Sequence, residues 1–285
     1  MKKRVMVAIL LLLFFVGCTK TPITGRNQMI MMSADEEMKL GLDTSRKILK
    51  NTRLSKDKEA TAIVKRVGKN IAEVTNRDYN TTDYQWEFNL IDNMKQANAF
   101  CLPGGKIFVF TGIFKYMKSD DELAAVMGHE IGHALARHGA ERKSSATLSR
   151  IGAGIMKALN ELDKKKTRAE KDADNKNTDY MVNRWIMLPH SRTHEYEADH
   201  IGLVLSAKAG YDPRGALSFW KKFSAQKSTR PEYLSTHPTP IHRIEKIEEL
   251  LPSVMPYYEA SQKRSVQKIE KIKPFIPSTI PFFKD

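Results

Sequence analysis

Only two of the 285 residues are cysteine, Cys18 and Cys101, so no framework of disulfides holds this fold. Long apolar runs are equally scarce. The one that exists, Val5 to Val16, falls short of the ~20 residues that a helix needs to cross a bilayer. A multi-span membrane domain is therefore excluded. No internal repeat of solenoid period is present. Acidic residues are outnumbered, 33 Asp and Glu against 47 Lys and Arg, for a net charge of +14. The basic residues are scattered rather than gathered on one motif, which argues against nucleic acid as a partner. Such charge would instead draw the protein towards anionic lipid. A hydrophobic content of 41% and a charged content of 28% are ordinary for a globular protein, so a buried core is expected.

The N-terminus reads as an address rather than as structure. Lys2, Lys3 and Arg4 precede the apolar run, which ends in Phe15-Val16-Gly17-Cys18. A basic start, a short apolar stretch and a small residue make a secretory leader. Gly17-Cys18 resembles a bacterial lipobox, with Phe15 in place of the commoner leucine. That resemblance implies a signal peptide over 1–17, cleavage before Cys18, and lipid on Cys18. Cys101 is then without an intrachain partner and reads as a small buried hydrophobe. Residues 18–32, with Pro22 and Gly25, read as a lipidated tether.

Helices dominate the remainder. Ser33 to Glu36 has the form of a capping box and starts a helix to about Lys50. A second helix, 57–75, aligns Ile63, Val67, Ile71 and Val74 on one face. Tyr84, Trp86, Phe88 and Leu90 alternate with polar residues, a strand signature. Two further strands, Ala97–Leu102 and Ile107–Thr111, flank the turn Pro103-Gly104-Gly105. These predict one small antiparallel sheet and no other. Ser119 caps a helix expected to reach Arg142. Residues 160–178 are polar enough to be either a solvated helix or a loop. Helices follow at 191–209, 213–226 and 240–250. The fold class is α+β and mostly α, with one domain over 33–252 and a C-terminal extension over 253–285.

The chemistry concentrates in His129-Glu130-Ile131-Gly132-His133. Two imidazoles at i and i+4 leave one helix face a turn apart and can share one Zn²⁺. Glu130 sits where it can act as general base on the attacking water. The flanking Leu123, Val126, Met127 and Leu135 bury one side, and Gly128 and Gly132 suggest close helix packing. A catalytic zinc needs a third protein ligand. Ala136 and Gly139 exclude the metzincin pattern, and His138 is one residue out of register, placed towards solvent or the sheet. Glu195 and Asp199 offer a better solution. They are again i and i+4, so one carboxylate can bind zinc while the other orients a ligating imidazole. Glu197 lies about 200° round that helix from Glu195 and reads as part of an exposed acidic face.

Four stretches in order resemble metallopeptidase family M-forty-eight, the gluzincins that include CaaX prenyl proteases, HtpX proteases and BepA-type periplasmic lipoproteins. They are Asn98 to Gly105, Asp121 to His133, Leu188 to Asp199, and Thr236-His237-Pro238. The resemblance implies a zincin-type domain with its sheet beside the active-site helix, one zinc per chain, Glu195 as third ligand and Asp199 as the partner of His129. It is strongest for the short, single-domain envelope lipoproteins, without a helical-repeat domain. It also places His237 near the zinc with Arg243 in support. Arg243 lies in the first turn of its helix, where a cation opposes the dipole, so an anionic partner is expected. His237 has two open roles, as donor to the oxyanion or as a plug in the fourth zinc position. An edge strand at 97–101 or 106–111 would take up extended substrate, with Asn98 bonding its backbone.

The expected function is a zinc-dependent endopeptidase of the periplasm, anchored to the outer rather than the inner membrane and degrading unfolded or misassembled envelope proteins. A chaperone-like binding factor and a non-peptidase zinc hydrolase of the cell wall are the rival readings.

Overall fold

A computed structural model describes residues 18–162, 166–174, 176, 191–225, 233, 237 and 240–272. The leader, Leu188 to His190, Thr236, Pro238, parts of 160–178 and the final residues 273–285 lie outside the described residues. Cys18, the expected lipid site, is described as backbone alone.

Helix α1 (Ala34–Asn51) begins at the expected capping box. Ser33 Oγ accepts the Glu36 N–H and the Glu36 carboxylate accepts the Ser33 N–H at 3.0 Å. Helix α2 (Lys58–Tyr79) is capped by Asp57 and stops at Asn80 in a left-handed conformation. It buries Val64, Val67, Ile71 and Val74. Its stripe is the amphipathic spacing of a helix that covers a core on one side.

The sheet is not the antiparallel one expected. Its order is β3 (Glu87–Ile91), β5 (Lys106–Phe110), β4 (Ala99–Leu102), with β4–β5 antiparallel and β3–β5 parallel. Gly104 and Gly105, with φ of 75° and 80°, take the left-handed turn that side chains resist and fold β4 back on β5. Residues 92–98 then carry the chain from β3 past the sheet, which leaves β3 on the far side of β5. All five residues of β5 are buried, which explains its continuous Ile-Phe-Val-Phe run, a pattern of strands covered on both faces. β4 is an edge.

A second sheet was not expected. β1 (Cys18–Lys20) and β2 (Asn27–Met29) form an antiparallel hairpin, and Thr21, Gln28 and Ile30 are buried. The segment read as a loose tether is thus packed on the domain.

Helix α3 (Asp120–Leu135) is buried almost all round, as befits the central helix. It packs on α5 (Arg192–Lys208), α6 (Arg214–Ser224), α2 and the sheet. The predicted single helix to Arg142 breaks here. Arg137 takes φ 54°, a left-handed residue of the kind that ends helices, and α4 (His138–Leu162) starts directly after it. The last helix, α7 (Pro240–Ile272), runs past the expected end at residue 250 and through Pro252 and Pro256. A proline inside a helix costs about 3 kcal/mol. Burial of Val254 and Ser261 beyond Pro252 keeps the helix on the body.

Candidate active site and metal centre

The site lies where α3 crosses α5. A Cβ added to Gly132 would stand 2.8 Å from the Ala198 carbonyl oxygen, and one on Gly202 2.6 Å from the His129 nitrogen. This contact of small residues brings the two backbones together, and with them the side chains of His129, His133 and Glu195. The glycines singled out from sequence are therefore packing residues of the crossing.

His129 Nε2 and His133 Nε2 are 3.0 Å apart. Glu195 reaches them with carboxylate oxygens at 3.5 and 3.4 Å. His237 Nδ1 completes the group, 3.2 Å from His129 Nε2 and 3.0 Å from Glu195 Oε2. All four residues are buried. Metal bonds of 2.0–2.1 Å in a tetrahedron would separate neighbouring donors by about 3.3 Å. The separations above, 3.0 to 3.5 Å, lie close to that value, and two imidazoles, a carboxylate and a third imidazole form a zinc-type donor set. The chain's own residues thus fit a tetrahedral cation.

Behind the donors, Asp199 Oδ1 accepts from His129 Nδ1 at 2.9 Å. Arg243 Nε and Nη2 donate to Asp199 at 2.7 and 2.5 Å, and Nη1 donates to Glu195 at 2.9 Å. Its guanidinium lies over the Trp220 ring at 3.9 Å and is wholly buried. The anionic partner anticipated for a cation in the first turn of α7 is this pair of carboxylates. Arg243, grouped with the catalytic residues from sequence, stands behind the ligands and positions them. Burial would raise Glu195, but Arg243 and the three histidines hold it far below the usual carboxylate range. Burial and Arg243 push the His129 imidazole down, yet Asp199 and Glu195 outweigh them and raise it to about 9. The pocket therefore favours positive charge at the donors.

Glu130 does not join the donor group. Its Oε1 accepts from the Tyr233 hydroxyl at 3.1 Å, and burial pushes its carboxyl up. Burial, with Glu130 beside it, lifts the Tyr233 phenol well above its usual range, so it remains a donor. Tyr233 was missed from sequence because no spacing rule links it to the motif; its ring packs on His237 at 4.3 Å.

Two expectations change, those for His138 and Glu197. His138, placed towards solvent or the sheet, is fully buried, with Nδ1 2.7 Å from His133 Nδ1. Glu197, assigned to an exposed face, is buried and bonded to His138. Asn98, expected to bond substrate, lies buried just before edge strand β4, as the metal donors themselves are buried, and its Oδ1 accepts from the neighbouring Ala99 N–H at 2.9 Å. Cys101 is free and partly buried, and burial pushes its thiol up, which suits a packing role.

The profile of Peptidase family M48 matches residues 58–251, from α2 to the first turns of α7. Among curated proteins, the mitochondrial metalloendopeptidase OMA1 of Schizosaccharomyces pombe is 34% identical, over 84% of this chain and 68% of that protein. Human OMA1 is 30% identical over 85% of this chain and 47% of its own length. The β-barrel assembly-enhancing protease of Escherichia coli is 28% identical over 78% and 45%. The mitochondrial proteins thus match at higher identity than the bacterial one, although the sequence phrasing pointed first to envelope lipoproteins. The chain belongs to peptidase family M48 and is a metalloendopeptidase.

Proposed function

We propose that this metalloendopeptidase uses zinc, is held in a bacterial periplasm by lipid on Cys18, outer membrane rather than inner, and degrades unfolded or misassembled envelope proteins. The zinc reading is carried by one observation, the close grouping of buried donor atoms from His129, His133, Glu195 and His237. The envelope reading rests on the leader: Val5 to Val16 is an unbroken apolar run, whereas mitochondrial transit peptides are amphipathic. Among the described residues no helix is long and apolar enough to cross a membrane. The Escherichia coli relative is named for β-barrel assembly, which supports client proteins of that kind here.

Zinc held by these residues would supply Lewis acidity, lowering the pKa of a water towards ~7 and polarising the scissile carbonyl. Glu130 takes a proton from the attacking water and returns it to the leaving amine. Its raised pKa suits both halves of that task. The Tyr233 hydroxyl holds Glu130 in place, and Asp199 and Arg243 fix His129 and Glu195. Strand β4, packed against α3, is the edge of its sheet among the described residues, where an extended segment of substrate can align.

The test is the metal content of purified protein together with a casein digest, with and without chelator, for wild type and Glu130→Gln. One zinc per chain, and cleavage lost with chelator and in Glu130→Gln, are expected. Client binding that survives in Glu130→Gln with no wild-type cleavage would identify a binding factor instead. Cleavage of peptidoglycan but not casein would identify a wall hydrolase.

A further inference from the structure

The hairpin read from sequence as a tether reaches the metal donors through a continuous line of hydrogen bonds. His133 Nδ1 meets His138 Nδ1 at 2.7 Å, and His138 Nε2 meets Glu197 Oε2 at 2.9 Å. Glu197 is in turn gripped by the hairpin. Its Oε1 accepts from Thr21 Oγ1 at 2.6 Å and from Thr24 Oγ1, and its Oε2 accepts from Arg26 Nε at 2.8 Å. Arg26 also forks onto Glu141 at 2.8 and 2.6 Å, where His194 Nε2 bonds at 3.0 Å. His138, Glu141 and His194 are close enough to hold a cation of their own. Arg26 already supplies positive charge at that point, so the cluster is balanced by the chain itself.

The partners dictate the direction of every proton in the line. Glu197 faces four donors and serves as an anion. His138 therefore donates from Nε2 and offers a bare Nδ1, His133 donates to it from Nδ1, and the His133 Nε2 lone pair is left for a metal. His129 achieves the same end directly, through Asp199. The left-handed Arg137 makes the longer route possible. In an unbroken helix His138 would lie about 140° round from His133; the break turns its ring back. At the hairpin tip Ile23 has φ 68°, a strained conformation for a β-branched residue, and the bonds from Thr21 and Thr24 to Glu197 hold the tip so bent.

We propose that His138 and Glu197 are positioning residues for His133, and that residues 18–29 form a clasp on Glu197 whose docking sets the metal affinity of the site. The clasp starts beside Cys18, so the membrane attachment point and the metal centre would be joined by one hydrogen-bonded path. This inference rests on the zinc reading above.

The experiment measures zinc affinity by chelator competition for the full chain, for Glu197→Gln, and for the shape-preserving double variant Thr21→Val/Thr24→Val. Circular dichroism and melting of the metal-free proteins are recorded alongside. Glu197→Gln is expected to weaken zinc roughly 10–100-fold, and the threonine double variant less, with both folded. A clasp that only stabilised the fold would lower the metal-free melting temperature and leave the affinity of folded protein unchanged, which overturns the proposal. Should Glu197→Gln not fold, the double variant decides: affinity equal to wild type refutes the clasp. Wild type without tight zinc would defeat this inference and the zinc reading together, whereas tight zinc in wild type and variants alike defeats the clasp alone.

Discussion

Gly202 of α5 rests against the backbone of His129 of α3: a Cβ at Gly202 would come within 2.6 Å of the His129 nitrogen and 2.7 Å of the Gly128 carbonyl carbon. Both neighbours are main chain of a central helix, so neither can turn aside. Gly202→Ala should push the two helices apart, costing about 1–3 kcal/mol as overpacking does. It should also loosen metal binding, because Glu195 and Asp199 ride on one helix and the histidines on the other. Urea unfolding with zinc titration checks both, and a variant with native stability would show that the crossing is slack.

How far the sequence revealed this site depended on distance along the chain. Periodicity within one helix put His129 with His133, and Glu195 with Asp199, because i and i+4 on a helix is a spatial statement. Glu197 was misread by the same rule. Its position away from Glu195 was right, but an acidic residue on the other side of a helix was taken as solvent-facing, when that side is covered by Thr21, Thr24, Arg26 and His138. His138 was misjudged because its place depends on the left-handed Arg137, and arginine carries no signal for a break. The parallel pairing of β3 with β5 was likewise invisible, since alternation fixes which face is buried but not which neighbour a strand takes.

Arg243→Gln should be among the most damaging single changes. It leaves Glu195 and Asp199 buried without their shared cation, and breaking such an arrangement typically costs about 3–5 kcal/mol. Arg243→Lys retains the charge but not the fork that reaches both carboxylates, so an intermediate loss is expected. Denaturant midpoints of the metal-free proteins rank the three. Equal midpoints for Gln and wild type would mean that the carboxylates find another partner.

His237→Ala separates the two roles open to that residue. Its Nδ1 stands among the donor atoms, 3.2 Å from His129 Nε2 and 3.0 Å from Glu195 Oε2, and this closeness makes the plug the outcome to test first. The expected result is higher basal casein cleavage with one zinc retained. A fall of roughly 10²–10³-fold with zinc bound would assign it instead as a transition-state donor.

Acid should unfasten Glu141 only well below neutrality. Burial would raise its carboxyl, but hydrogen bonds from Arg26 and His194 prevail and lower it to about 2 from 4.5. A depressed carboxylate adds stability above its unfolded value, and that stability is lost as pH falls through the folded one. Wild type should exceed Glu141→Gln by about 1–2 kcal/mol near pH 7, after allowance for solvent screening. The gap should close as pH falls through the interval between the two values. Melting curves across that interval test the sign, and a gap that widens in acid would contradict it.

The order in which Arg243 enters the chain has a temporal consequence. A polypeptide made N-terminus first presents α3 and α5, with both histidines, Glu195 and Asp199, before the helix that carries residue 243. Until that helix docks, the guanidinium that bonds both Glu195 and Asp199 is missing, and the desolvation of two carboxylates, several kcal/mol for each, is offset by the histidines alone. The site is therefore completed only when the last helix arrives, and a half-made chain lacks the cation that holds its ligands in place.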